Sequence, residues 1–149
     1  MKKIETVIEI NAPLEKVWST LMNHKEYPNW NPFVQTIAGS AIVGEKLVTT
    51  IQLEGKKPMS FKPIVLVNET NKEFRWKGKM FVNGLFDGEH YFILEKIDAE
   101  RTRFIHGEQF SGLLTGLFMK MIGKQTQIGF EAMNAALKSQ AESQAESQK

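Results

Sequence analysis

Between residues 33 and 110 the sequence is a succession of strand-like segments separated by short turns. Apolar and polar residues alternate within the segments, and turn-forming pairs such as Asn83-Gly84 lie between them. Connections this short leave no room for crossover helices, so neighbouring strands are predicted to pair antiparallel. The predicted strands are 33–37, 46–54, 59–68, 73–80, 88–97 and 102–110.

The amino-terminal segment predicts one further strand and two short helices. Residues 4–10 alternate between apolar and polar side chains, which indicates a half-buried strand. Pro13 then opens an amphipathic helix over 13–22, because proline is favoured in the first turn of a helix. A second helical turn is predicted around 25–27, followed by a proline-rich loop.

After Gly112 the period of the apolar residues changes from two to three and four. This spacing predicts a long amphipathic helix from about 113 to about 139. Residues 140–149 repeat Ala-Glu-Ser-Gln and contain no apolar side chain larger than alanine. They are interpreted as either a frayed helix end or a disordered tail.

Together these elements predict an α+β fold. A curved, seven-stranded antiparallel sheet is expected to wrap around the long carboxy-terminal helix, with the two short helices between strands 1 and 2. Residues 1–139 would form a single domain, and 140–149 a polar, low-complexity tail. A single helix cannot fill the concave face of such a sheet, so an internal cavity is expected between them.

Composition excludes several classes of partner and site. The net charge is +2, from 19 basic and 17 acidic residues, and so even a balance favours neither a nucleic-acid nor an anionic-membrane partner. The absence of cysteine excludes disulfides, thiolate metal sites and a cysteine nucleophile. No segment resembles a signal peptide or a membrane span, so no stable membrane insertion and a cytoplasmic location are expected. A monomer or a weak homodimer is expected.

Several stretches of the sequence resemble the SRPBCC superfamily, most closely its polyketide cyclase/dehydrase-like branch. They are IEINAPLEKVW at 8–18, YPNWNPF at 27–33, EFRWK at 73–77, GEHYFIL at 88–94, TRFIHGEQFSG at 102–112 and GFEAMNAAL at 129–137. The superfamily also includes lipid-transfer START domains and the birch-pollen allergen. The resemblance implies the helix-grip fold, with a cavity for a hydrophobic small molecule, whereas the superfamily's functions are too varied for the fold to assign one.

Three polar residues lie among aromatic ones on the last two predicted strands. His90 shares a face with Phe92, and His106 and Glu108 share one with Phe104 and Phe110, because residues two apart on a strand point the same way. If these faces point inward, all six residues are predicted to line the cavity and bind the ligand. His90, His106 and Glu108 are then also candidate general acids and bases for a carbonyl compound. Alternatively, they satisfy one another or the backbone while orienting a ligand, or they point to solvent.

Further residues are predicted to line or border the cavity. Trp30 and Phe33 lie in the loop after the short helices, Trp76 lies on a strand face, and Phe81 lies near the Asn83-Gly84 turn at the rim. Trp30 is interpreted either as part of the cavity wall or as an ordinary core residue. The first turns of the long helix supply an adaptable apolar lining of Leu114, Leu117, Phe118 and Met121.

No metal or cofactor is expected. His24 is far in sequence from the other two histidines, and the chain has no His-x-x-x-His pair, glycine-rich phosphate loop or Gly-x-Ser-x-Gly motif.

Three functions follow from these patterns. The preferred one is a carrier or sensor that binds a lipid-like, aromatic or polyketide-like molecule in the internal cavity. The alternative is an enzyme of cyclase or dehydratase type that uses His106 and Glu108 as an acid–base pair. An interaction domain acting through its tail or apolar rim is the third.

Overall fold

The computed structural model describes residues 2–80 and 84–147. In chain order the elements are β1 (Lys2–Ile10), α1 (Leu14–Met22), a 3-10 turn (His24–Glu26), α2 (Tyr27–Trp30), β2 (Val34–Ala38), β3 (Val48–Ile51), β4 (Met59–Phe61), β5 (Ile64–Glu69), β6 (Glu73–Met80), β7 (Phe86–Asp98), β8 (Arg101–Ser111) and α3 (Thr115–Ser147). The α+β class, the antiparallel pairing, the two short helices and the long final helix are therefore confirmed.

The strands form two sheets instead of one sheet of seven. A five-stranded sheet has the order β1-β8-β7-β6-β5, and a three-stranded sheet has the order β2-β3-β4, with all pairs antiparallel. The predicted strand 59–68 is divided at Pro63, which has no N–H for a ladder. Its first part pairs with β3 and its second part with β6.

Local backbone bonds connect the two sheets. The Leu47 N–H donates to the carbonyl of Pro63 at 2.8 Å, and the Val65 N–H donates to the carbonyl of Glu45 at 3.0 Å. These bonds join the segment just before β3 to the segment at the start of β5, so the two sheets are linked through the backbone.

The helix α3 begins slightly later than predicted and continues well beyond 139, to Ser147. Ala141 is fully buried, and the Asn11 N–H donates to the Glu142 carboxylate at 3.0 Å. Glu142 also pairs with Lys138 one turn earlier, which supports a helix at this position. The first part of segment 140–149 thus packs against the rest of the protein as helix.

One hydrophobic cluster extends from Ile4 of β1 to Ala141 of α3. α3 contributes Phe130, Met133 and Leu137, all fully buried. The ring of Phe33 occupies the space beside Gly129 that a Cβ would fill, so the absence of a side chain there lets the loop before β2 approach the helix. None of the helices in the described residues has both the length and the apolar character needed to span a bilayer.

Candidate functional site

A partly open cavity of about 90 Å³ lies between the three-stranded sheet, the neighbouring ends of β6, β7 and β8, and the first half of α3. Most of its wall is apolar. Its lining residues are Phe33, Thr49, Ile51, Leu53, Met59, Phe61, Pro63, Trp76, Gly78, Lys79, Phe86, Gly88, His90, Glu108, Phe110, Ile122 and Thr126.

Five residues named from the sequence line this cavity: Phe33, Trp76, His90, Glu108 and Phe110. The lining also includes residues that the sequence analysis missed. They follow the same alternation, as at Thr49, Ile51 and Leu53, or at Met59, Phe61 and Pro63. The period of two along each strand was the available signal.

The other strand and loop candidates lie away from the cavity. Phe92, Phe104 and His106 are fully buried behind its wall. Trp30 is half-buried and packs edge-to-face on Tyr27 at 5.1 Å. Phe81 lies outside the described residues.

The helix candidates also differ from the prediction. Leu117 and Met121 are 57% and 55% exposed, so they point to solvent instead of lining the cavity. Leu114 and Phe118 are half-buried, and Phe118 stacks on Phe86 at 4.7 Å. The cavity instead receives Ile122 and Thr126, which lie on the opposite side of the helix from Leu117.

The polar end of the cavity is one end of a continuous hydrogen-bonded chain. Glu108 Oε1 lies 3.2 Å from His90 Nδ1, and His90 Nε2 lies 2.7 Å from His106 Nε2. His106 Nδ1 lies 2.9 Å from Asn134 Oδ1, and Asn134 Nδ2 donates to Thr6 Oγ1 at 2.8 Å. The chain therefore joins four elements: β8 with Glu108 and His106, β7 with His90, α3 with Asn134, and β1 with Thr6.

The far end of this chain determines which atoms donate. The Thr6 hydroxyl lies 3.0 Å from the backbone carbonyl oxygen of His106, which can only accept, so the hydroxyl donates there. Asn134 must then donate to Thr6 and turn its own oxygen towards His106. His106 consequently carries its proton on Nδ1.

Burial keeps His106 neutral. Desolvation, followed by the charge of the neighbouring His90, lowers the pKa of His106 well below its ordinary value of 6.5, although the bonds to Asn134 and to the Phe130 backbone act in the opposite direction. A neutral ring protonated on Nδ1 accepts at Nε2, so His90 donates from its own Nε2.

It follows that His90 and Glu108 share a proton. The only nitrogen that His90 presents to Glu108 is Nδ1, and a bare carboxylate facing a bare ring nitrogen would make no bond. The contact therefore contains either a carboxylic acid donating to His90 or an imidazolium donating to a carboxylate. Both members of this pair line the cavity, so the shared proton lies at the cavity wall.

Close packing holds the pair in position. Trp76 stacks on the His90 ring at 4.9 Å with 17° between the planes, and Phe130 stacks on the His106 ring at 4.2 Å. The Glu108 carboxylate occupies the space that a Cβ on Gly88 would take. Gly88 thus makes room for the carboxylate beside His90.

The arrangement can exchange one proton with a bound molecule, but it is unsuited to holding a metal. The two histidine Nε2 atoms face each other, and both Nδ1 atoms have other partners. Across residues 2–80 and 84–147, no group of three or more histidine, aspartate or glutamate side chains could hold a metal ion.

A family model described as polyketide cyclase/dehydrase and lipid transport matches residues 1–142. A search of curated protein sequences found no match.

Solved structures share the architecture at low sequence identity. The Zhui aromatase/cyclase from Streptomyces sp. R1128 is 14% identical with a TM-score of 0.76, covering 95% of this chain and 93% of that one. A norcoclaurine synthase from Thalictrum flavum is 15% identical with a TM-score of 0.73, covering 96% and 95%. A START superfamily protein from Mycobacterium smegmatis is 17% identical with a TM-score of 0.72, covering 95% and 97%.

Proposed function

Because the chain belongs to the polyketide cyclase/dehydrase and lipid transport family, we propose that it binds a small hydrophobic molecule in the cavity between its sheets and α3, as a carrier or sensor. The observation that carries the proposal is an apolar cavity with a single proton-sharing pair, His90 and Glu108, at one end. Such a site selects a ligand with an apolar body and one hydrogen-bonding group.

The size of the cavity narrows the class of ligand. An engineered apolar cavity of about 150 Å³ admits benzene, whereas this cavity is about 90 Å³ and partly open. The enclosed part of the ligand is therefore no larger than a single ring. Because the shared proton allows Glu108 to donate or to accept, the ligand's polar group is a phenol hydroxyl or an aryl carbonyl.

Binding is expected for single-ring phenols and aryl carbonyl compounds and is expected to weaken in Gly88→Ala. The added methyl group would displace the Glu108 carboxylate from His90, although neither of these two residues is itself substituted. Loss of a hydrogen bond to such a group corresponds to a roughly 10- to 100-fold weaker Kd. Titration calorimetry with a panel of these compounds would measure it.

Gly116→Ala is the matched control, because a Cβ at Gly116 meets no atom within 4 Å. It is expected to bind as the unaltered protein does. The proposal is wrong if no phenol or aryl carbonyl compound binds to the folded protein, or if Gly88→Ala binds these ligands as tightly as the control.

The hydrogen-bonded chain also favours a second candidate function, acid–base catalysis on a carbonyl substrate. For a β-hydroxy ketone, Glu108 as carboxylate would take the proton from the carbon next to the carbonyl. It would then return that proton to the departing hydroxyl, so that an enone and water are formed without an oxidant. His90 would be the partner that supports Glu108, instead of the predicted His106, which lies behind the wall.

For this second function, Glu108→Gln is expected to lower kcat for dehydration of a β-hydroxy aryl ketone by roughly 10²-fold or more, because an amide cannot take the proton. Absorbance of the enone product would follow the reaction. Glu89→Gln is the matched control, because Glu89 lies next to His90 on β7 and pairs with Arg75 outside the cavity. Equal rates in the two variants would exclude Glu108 as the base.

A further inference from the structure

Four large apolar side chains near the start of α3 are exposed to solvent. Leu113, Leu117, Met121 and Ile128 are 87%, 57%, 55% and 39% exposed, and we call them the exposed stripe. Within the helix, Leu117, Met121 and Ile128 are spaced by four and seven residues and therefore share one face. A helix packed on a domain normally has polar residues on that face, so packing of the core does not explain the stripe.

The charge beside the first turns of the exposed stripe is basic, and the first acidic residue of the helix is the exposed Glu131, three positions after Ile128. Residues 112–130 contain Lys120 and Lys124 and no acidic residue, and both lysines are exposed. Lys124 follows Met121 by three positions and precedes Ile128 by four, so it lies within the stripe. The nearly even charge of the whole chain hides this local excess.

The same part of α3 lies beside the cavity. Ile122 and Thr126, on its inner side, line the cavity. The Leu113 N–H donates to the carbonyl of Gly84 at 2.9 Å, which connects the first residue of the stripe to the turn before Phe86, another lining residue. A surface that bound the stripe would therefore lie next to the cavity wall.

We propose that the exposed stripe docks the protein onto an anionic lipid surface, with the first turns of α3 lying in the interface. In these first turns, exposed apolar side chains beside Lys120 and Lys124 match the headgroup region of such a surface in both hydrophobicity and charge, and Glu131 lies beyond them at the far end of the stripe. A second copy of the chain fits less well. A symmetric pair would bring like-charged lysines together, and a single row of side chains is narrow beside the roughly 800 Å² per partner of a stable interface.

The proposal is tested by co-sedimentation with vesicles of phosphatidylcholine alone and of phosphatidylcholine mixed with phosphatidylglycerol. Binding is expected to the mixed vesicles and to decrease with salt. The double variant Leu117→Gln, Met121→Gln is expected to bind roughly tenfold more weakly or worse, because less apolar surface enters the interface. Lys124→Gln alone is expected to bind roughly fivefold more weakly.

Val7→Gln is the matched control, because Val7 on β1 has the same 57% exposure as Leu117 but lies outside the stripe. Thermal unfolding would verify that all variants are folded. Absence of binding to anionic vesicles, or an equal loss in Val7→Gln, would overturn the proposal. A dimer in light scattering that the double variant dissociates, without any vesicle binding, would assign the stripe to a second copy instead. None of these experiments uses the cavity ligand, so a negative result with the vesicles would not contradict the proposed ligand binding.

Discussion

Between neutral pH and about pH 4, His24→Leu is expected to lose about 3 kcal/mol less of its free energy of unfolding than the unaltered protein does. Burial lowers the pKa of His24 from 6.5 to about 4. The ring lies beside Tyr27 at 5.1 Å and Phe74 at 5.6 Å, and its Nε2 is buried without a hydrogen-bond partner in the described part of the chain. A leucine at this position has no group to protonate and no buried nitrogen to satisfy.

The direction of the effect follows from the protons bound by each state. As the pH falls below 6.5, the unfolded chain takes up a proton at residue 24, whereas the folded protein does so only near pH 4. Stability from this group is therefore complete above pH 6.5 and decreases as the pH falls towards 4. The lowered pKa of His106 acts in the same direction, so the variant retains part of the acid sensitivity.

Urea unfolding at about pH 7 and about pH 4 would measure the difference in the free energy of unfolding. Lys25→Leu, at the exposed neighbouring position, is the control for the leucine itself. If His24→Leu and the control lose the same stability in acid, His24 is protonated in the folded protein at a higher pH than its burial implies.

The sequence was sufficient for the order of the elements and for the family. Alternation and turn residues identify strands because a half-buried strand has two different faces, and the resemblance to the polyketide cyclase-like branch is confirmed by the family match. The break at Pro63 was not predicted, because apolar residues continue on both sides of it. Which strand each part pairs with is decided by tertiary contacts.

The inner face of α3 could not be chosen from its periodicity. Leu114, Leu117, Phe118, Met121 and Ile122 are all apolar, so the first turns have apolar residues on both sides. Periodicity identifies a buried face only when the opposite face is polar.

Alternation along the strands was likewise insufficient to predict which polar residues reach the cavity. His106 and Glu108 do share a face, but only Glu108 reaches the cavity, while His106 lies under α3 against Phe130. A period of two shows which way a side chain points. It does not show what covers that part of the strand.

Asn134→Leu is expected to lower the free energy of unfolding by about 2–3 kcal/mol, because a buried N–H of His106 loses its acceptor and the Thr6 hydroxyl loses its donor. Gln127→Leu, at an exposed position on the same helix, is the control and is expected to change stability by less than about 0.5 kcal/mol. Urea unfolding of the two variants would measure the difference.

Asn134 is also expected to determine which ring nitrogen of His106 carries the proton. ¹⁵N spectra of the histidine rings would identify the protonated nitrogen. In the unaltered protein His106 is expected to be protonated on Nδ1 and His90 on Nε2. In Asn134→Leu the His106 proton is expected to shift towards Nε2. His90 must then accept there and donate from Nδ1, so Glu108 becomes a bare carboxylate and the shared proton is lost. An Nε2 proton on His106 in the unaltered protein would contradict the assigned direction of the chain, and with it the shared proton, because a single hydroxyl proton on Thr6 fixes every donor between β1 and the cavity.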